Sequence, residues 1–261
     1  MRNSQETNPE KSLKHGQIWQ LGDHKLLCGS SLDSELVQKL LAGSKINSII
    51  TDPPYGISFV ESKKNFSKVK VNKRILNDNI SSEKEYCEFT KQWLKIPLLY
   101  LAKKNSIYIF NCDKMLFALK KALDELDVYF SQLIIWVKNH AVIGRKDYLP
   151  QHELILFGWF GAHAFKRSKD KSVLFYPKPN KSSLHPTTKP MELISHLILN
   201  STDIGDTIYD CFGGSGTCLI SAELTKRRCL MVEYDLEYCA IIMKRWAHIT
   251  KQEIKLIYEE E

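Results

Sequence analysis

Thr207-Ile208-Tyr209-Asp210-Cys211-Phe212-Gly213-Gly214-Ser215-Gly216-Thr217 is a short apolar run that breaks into glycines and then opens a second apolar stretch. It reads as a buried strand, a tight turn and a helix over about 215–224. Glycines let the backbone turn sharply and approach a ligand closely, with the helix N-terminus pointing at it. The next apolar run, Arg228 to Glu233, reads as a strand ending on an acid, 20 residues after Gly213. A carboxylate at that place can accept hydrogen bonds from both hydroxyls of a ribose. The spacing G-x-G-x-x-G is incomplete, which disfavours a pyrophosphate cofactor and suits a nucleoside without phosphates. A Gly-rich turn by itself can also be purely structural; the strand, loop, helix, strand and acid together say more.

Working outward, the same alternation runs through the chain. Ile18 to Leu21 and His24 to Cys28, joined by Gly22-Asp23, form a hairpin pattern. Ser34 suits the cap of a short helix carrying Leu36, Val37, Leu40 and Leu41, and a strand runs into Asp52. Ser81 or Ser82 suits the cap of a helix to about Lys103. A strand at 106–110, a helix at 114–126 and strands at 131–137 and 153–158 follow. Pro190 opens a helix to about Asn200, a helix spans Leu236 to Thr250, and Ile254 to Tyr258 is a last strand. Strands alternating with helices imply an α/β fold with a mostly parallel sheet covered on both faces.

A second junction faces the same way. Ile46 to Thr51 is a β-branched run that ends in Asp52-Pro53-Pro54-Tyr55. Neither proline has an N–H to donate and both φ angles are fixed, so the turn presents a carboxylate, bare carbonyls and a ring together. At the C-terminal edge of an open sheet, where ligands bind, such a cluster suits an exocyclic amino group on a flat base. The plain alternative is a strand-ending turn with a capping aspartate.

The bulk numbers narrow the field. A chain of 261 residues with 43% apolar content holds one large α/β domain or two small ones, and no apolar run approaches membrane-spanning length. Met1 to Leu13 is polar and lacks a signal-peptide core, so residues 1–14 read as a loose tail before a domain of 15–261. Seven cysteines, odd in number and never spaced C-x-x-C, fit reduced cytosolic thiols rather than a structural zinc site. The net charge of +7 concentrates in two polar stretches. Residues 61–74 carry Lys63, Lys64, Lys68, Lys70, Lys73 and Arg74, and residues 163–181 include Lys166, Arg167 and Lys169. They are either solvated loops or loops that track phosphates beside a site, with Arg145 a further candidate.

His185-Pro186-Thr187-Thr188-Lys189-Pro190 supplies a third segment, stiffened by its prolines, which taken alone is a helix-capping loop. Asp-Pro-Pro-Tyr, His-Pro-Thr-Thr-Lys-Pro and Asp-Cys-Phe-Gly-Gly-Ser-Gly-Thr, in this order, resemble the amino-group DNA methyltransferases that use S-adenosylmethionine. Catalytic motif first and cofactor motif last is the order of their permuted beta group, close to phage or prophage modification methylases. The resemblance extends from about His15 to the C-terminus.

It implies a Rossmann-like class I methyltransferase sheet, seven-stranded, mostly parallel and circularly permuted, with a target-recognition insert at about 138–184. It assigns Asp52, Pro53, Pro54 and Tyr55 to the flipped base. Asp210, Phe212, Gly213, Gly214, Ser215, Gly216 and Thr217 would line the methionine half of the cofactor, with Asp52 close by, and Glu233, beside Tyr234, would hold the ribose. His185, Thr187 and Lys189 would complete that pocket. Cys28, Gly29 and Ser30 match a stretch near the adenine, where Ser30 replaces the usual aspartate, and Cys211 replaces the usual proline. Gln151-His152-Glu153 is similar to a further motif near the target base, although His152 also suits a plain strand start. The implied reaction is methylation of adenine N6 in double-stranded DNA. Cytosine N4, RNA, a protein side-chain amide or a catalytically silent DNA-binding relative are the alternatives. Neither a metal nor a cysteine nucleophile is needed. A second copy of the chain and a cognate restriction endonuclease are the implied protein partners.

Overall fold

The structure, a computed structural model, describes residues 13–55, 82–142, 147–167, 169–178 and 189–260. Strands β1 (Gln17–Leu21) and β2 (His24–Cys28) form the expected hairpin, with Gly22 at φ +55 in its turn. Helix α1 (Ser34–Leu41) is capped by Asp33 rather than by Ser34, one Asp33 oxygen accepting the N–H groups of Glu35 and Leu36, each at 3.1 Å. A carboxylate there also meets the positive end of the helix dipole. After β3 (Ile46–Thr51), α2 (Glu83–Leu98) starts at Ser82, whose hydroxyl accepts from Glu85 N–H at 3.2 Å. It stops short of the expected Lys103 because Pro97 brings no N–H to the last turn.

Strand β4 (Leu101–Asn111) begins almost at once, and a 3-10 turn at Asp113–Met115 leads into α3 (Leu116–Glu125). Then come β5 (Val128–Val137), β6 (His152–Phe160), β7 (Ala162–His163) and β8 (Val173–Phe175). The last two are too short for any periodicity to announce them. The chain closes with α4 (Met191–Ser201), β9 (Thr207–Asp210), α5 (Thr217–Leu224), β10 (Arg228–Glu233), α6 (Leu236–Thr250) and β11 (Ile254–Tyr258).

One sheet joins the eleven strands of the described residues, in the order β11-β1-β2-β10-β9-β3-β4-β6-β5-β8, with β7 beside β4. The expected seven strands are its centre, β2-β10-β9-β3-β4-β6-β5. The first five run parallel, and β6 is antiparallel to both β4 and β5. The count exceeds seven because β1, β11, β7 and β8 extend that centre. Alternation along the strands sorts apolar side chains onto two faces. Tyr108, Phe110 and Met231 pack with α4, α5 and α6, while Ile107, Ile109, Leu230 and Val232 pack with α1, α2 and α3.

Two consequences bear on the site. The chain leaves β9 toward β10 on one side and leaves β3 toward β4 on the other, so a switch point lies between β9 and β3. And β6 lies inside residues 138–184, so this stretch is not one insertion: the segments flanking β6 are what remains outside the sheet centre.

Candidate active site

Four neighbouring strands deliver their C-terminal ends to one edge. Asp52 follows β3, Asp210 ends β9, Glu233 ends β10 and Cys28 ends β2. The first two are tied together. Thr51 Oγ1 donates to Asp210 Oδ1 at 2.9 Å and accepts the Cys211 N–H at 3.2 Å. A proline at position 211 would lack that N–H, so the cysteine adds a bond where the usual residue adds stiffness. Thr51 was not a candidate from sequence.

The glycine loop folds back over β10. Gly213 N–H donates to Val232 O at 2.9 Å, Gly214 N–H to a Glu233 carboxylate oxygen at 2.6 Å, and Asp235 N–H to its other oxygen at 2.7 Å. Gly29 N–H donates to Glu233 O at 2.9 Å, which brings the β2 end alongside. Gly216 caps α5 with φ +80, and a Cβ built there would lie 2.8 Å from Ile242 Cγ1. At Gly213 a Cβ would lie 2.6 Å from Met231 Sδ. A side chain at either position would thus have to displace the packing beneath the loop. Phe212 turns its ring to α2, 5.5 Å from Trp93 and 5.9 Å from Phe89, so it anchors the loop while staying partly exposed. The Ser215 hydroxyl is 3.4 Å from Thr217 Oγ1, Ser30 Oγ accepts the Leu32 N–H at 3.1 Å, and Tyr234 lies against the His15 ring at 4.5 Å.

Burial pushes the Glu233 carboxyl up to about 7 and the Asp210 carboxyl up to about 8. Each Glu233 oxygen holds one backbone donor and has lone-pair room for another, which suits a vicinal diol. Residues 207–217 contain no basic side chain to meet a phosphate. Together with the two buried carboxylates, the three glycines of the loop fit a nucleoside bearing positive charge, while among the described residues the one guanidinium at the loop, Arg245, is taken by the Ser215 carbonyl.

At the Asp52 end the structure gathers residues that sequence had scattered. Tyr55 Oη donates to Asp52 Oδ1 at 2.5 Å, and Lys189 Nζ binds Asp52 Oδ2. Lys189 also lies 3.1 Å from Glu153 Oε2, and Lys138 Nζ lies 2.7 Å from Glu153 Oε1. Lys189 therefore sits on the catalytic candidate Asp52, not over the glycine loop. Glu153, rather than His152, is the member of 151–153 that reaches the site; His152 faces Asp113 at 3.7 Å. Lys138 was missed as a site residue, and Glu153 was read only as part of the 151–153 resemblance, although a charge at the end of an apolar strand is a usable signal, since such groups are rarely buried unpaired.

The four charges balance, two carboxylates against two ammoniums. Burial alone pulls Lys189 down, but Asp52 and Glu153 outweigh it and push its ammonium up to about 12. Burial raises Glu153 while two lysines more than offset it, leaving it below its ordinary value. Among the described residues Asp52 has one lysine only; burial raises it, Lys189 opposes this, Glu153 adds to it, and the result is above the ordinary value. Burial and the nearby Asp52 charge keep Tyr55 a protonated donor. The Asp52 side chain retains 28% of its exposure, so a ligand can reach it, whereas Lys189 retains 9%.

The basic candidates divide. Lys63, Lys64, Lys68, Lys70, Lys73, Arg74, Arg145, His185 and Thr187 lie outside the described residues. Lys166 pairs with Asp203 at 2.5 Å, and its N–H donates to Asn200 O. That corner is the opposite edge of the sheet from Asp52, because β7 pairs with Lys104 and Asn105, near the start of β4. Arg167 and Lys169 are exposed along the same segment.

Comparison with known proteins agrees with this geometry. Residues 46–244 match the family model described as DNA methylase, of N6 and N4 type. The chain is similar to the Type II methyltransferase M.HpaI of Haemophilus parainfluenzae, with 26% identity over 249 residues, 85% of this chain and 74% of that one. Among solved structures it resembles the M1.HpyAVI–SAM complex, with TM-score 0.61 and 23% identity, covering 84% of this chain and 98% of that one. It also resembles the cytosine-N4-specific PvuII DNA methyltransferase, with TM-score 0.66 and 15% identity, covering 90% and 95%.

Proposed function

This chain belongs to the N6/N4 DNA methylase family, and from that membership we propose that it methylates N6 of adenine in double-stranded DNA at a specific site. The observation behind this is the 2.9 Å bond from Thr51 to Asp210, which holds a base-binding turn and a nucleoside-binding loop side by side at the switch point. S-adenosylmethionine, held by Glu233, Asp210 and the backbone of 213–216, supplies an electrophilic methyl group on a sulfonium.

The work left to the chain is at the amino nitrogen. Its lone pair is delocalised into the base, so it is a poor nucleophile. Asp52 and the Pro53 carbonyl accept its two hydrogens, favouring a more tetrahedral nitrogen and offsetting the positive charge that develops there. The base must leave the duplex to reach them, at a cost of roughly a few kcal/mol. Stacking on Tyr55 offsets about 1–3 kcal/mol of this. Adenine is preferred to cytosine because Asp-Pro-Pro-Tyr, rather than Ser-Pro-Pro-Tyr, is the form associated with N6 enzymes.

Target recognition falls to the segments flanking β6 on the Asp52 side of the sheet, between β5 and β6 and after β8. The first continues the β5–β6 hairpin, with Lys138 N–H donating to Gln151 O at 2.8 Å and Val142 N–H to Pro150 O at 2.9 Å. It carries Tyr148, which is 92% exposed, as base-facing apolar surface. A cognate endonuclease and a second copy of the chain are the protein partners in this proposal. Single-molecule sequencing of DNA from a methylation-free host expressing the chain, with nucleoside mass analysis, tests all of it. N6-methyladenine in one short motif is the expected result, and exchanging the flanking segments for a relative's should change that motif. N4-methylcytosine, or no modified base, would overturn the assignment.

The raised carboxyls give a second test. Below their shifted values Glu233 and Asp210 hold protons; above them both are anions, able to accept from hydroxyls and to face a cation. Cofactor affinity should therefore rise between about pH 6 and pH 9, with proton release on binding. Calorimetry in buffers of different ionisation enthalpy reads this directly. Affinity that is flat or falls over that range contradicts the assigned roles.

A further inference from the structure

The Lys189–Glu153–Lys138 chain remains unused by the chemistry above, although it is the most enclosed set of charges touching Asp52. Burying two ammoniums and half-burying two carboxylates is expensive, and well-packed apolar side chains would stabilise such a position at least as well. Its members come from three separate places: Lys138 just after β5, Glu153 on β6, and Lys189 just before α4. They converge on one atom, Asp52 Oδ2, through Lys189 Nζ. Lys189 is fixed in addition by the Phe110 ring, 5.0 Å from its ammonium to the centroid.

The two Asp52 oxygens are held differently. Oδ2 is gripped by a lysine that Glu153 and an aromatic ring also hold. Oδ1 is held by one Tyr55 hydroxyl, on the same turn. An incoming amino group takes the weaker-held oxygen, displacing that hydroxyl.

We propose that Lys189 is a positioning residue, keeping Asp52 ionised and aiming Oδ1 at the substrate amino group, while Glu153 and Lys138 hold Lys189 in place. Glu153 has a second task. A lone ammonium beside the reacting nitrogen would oppose the positive charge developing there, and the Glu153 carboxylate offsets it. This rests on the assignment of Asp52 to the amino group, and it gives Glu153 a role toward Lys189 and brings in Lys138, which lies outside the motifs quoted above.

Opposite signs make it testable. Among the described residues, the titratable groups facing Asp52 besides Lys189 and Glu153 are Tyr55 on its own turn, Tyr86 from α2 and Asp210 from the β9 end. Those three are common to every variant. Lys189→Met removes a cation, so the Asp52 carboxyl should titrate at least one pH unit higher. Glu153→Gln removes an anion, so it should titrate lower, and Lys189→Arg should stay near wild type. Two measurements read this: the acid limb of kcat at saturating cofactor and DNA, and the ¹³C titration of the Asp52 carboxyl, assigned through Asp52→Asn.

In addition, kcat at pH 7.5 should fall at least tenfold in Lys189→Met and recover substantially in Lys189→Arg, with cofactor affinity unchanged in both. Coincident Asp52 titrations in wild type, Lys189→Met and Glu153→Gln would overturn the proposal. If Lys189→Met does not fold, the Glu153→Gln shift decides alone, and a rise or no change counts against it. The carboxyl titration requires no methyl transfer. A wild-type protein that modifies no DNA yet shows these shifts would strike at the assigned reaction and leave the Lys189 arrangement standing.

Discussion

Asp52→Asn should lower methyl transfer by on the order of 10³-fold, while cofactor affinity stays within a few-fold of wild type. The change keeps the side-chain volume and alters two things. It removes the negative charge that offsets the cationic nitrogen, and it turns one acceptor into an amide donor that points at the amino hydrogens. The Tyr55 hydroxyl and the Lys189 ammonium each lose a charged partner, although Lys189 keeps Glu153 at 3.1 Å. The glycine loop should barely respond, since its own bonds run to Val232 and Glu233. Asp52→Ala should be at least as inactive and should melt lower, because it also opens space beside a buried ammonium. Tritium transfer to mixed DNA and calorimetric titration of the cofactor separate the two effects. Turnover near wild type in Asp52→Asn would exclude the assigned chemistry. Cofactor affinity falling in parallel with turnover would move Asp52 into the nucleoside pocket instead.

The parts of this site that could be read in the sequence are those where one local rule governs. A β-branched run meeting two prolines ends a strand wherever it sits, and a glycine cluster between a strand and a helix turns tightly wherever it sits. So the ends of β3, β9 and β10 were legible, together with Asp52, Asp210 and Glu233. What local rules do not contain is which strand ends become neighbours. Lys189 reads as part of a helix-capping loop before α4, and nothing in 185–190 announces that its ammonium crosses to the end of β3. Glu153 and Lys138 meet because β5 and β6 pair antiparallel, Val137 opposite His152, which is a fact of register. Lys166 shows the converse error. Its charge suggests a phosphate contact, but β7 carries that segment to the far edge, where Asp203 takes it. Composition gives the number of charges, and topology decides which of them share an edge.

Gly216→Ala should destabilise the protein by about 2–5 kcal/mol, more than any other single methyl added to the glycine loop. Two costs add at this position. The backbone stands at φ +80, which an L side chain resists, and the new Cβ would lie 2.8 Å from Ile242 Cγ1 and 3.2 Å from its Cγ2. Ile242 is β-branched and fully buried on α6, so it has no free rotamer into which to retreat. Gly213→Ala also makes a close contact, 2.6 Å to Met231 Sδ, but no positive φ is involved and a thioether bends aside more readily. It should cost less. Gly43→Ala separates the terms: φ is +72 there, nothing lies within 4 Å, and only the backbone strain of roughly 1 kcal/mol remains. Thermal melts of the three variants should therefore rank Gly216→Ala lowest and Gly43→Ala highest. The function should follow the same order at the loop, because a shift at 216 drags the Gly214 N–H away from Glu233 and loosens the carboxylate meant for the ribose. A Gly216→Ala protein that melts with Gly43→Ala and binds cofactor normally would mean that the loop yields easily, and that the tight packing of α6 beneath it is not what shapes the nucleoside site.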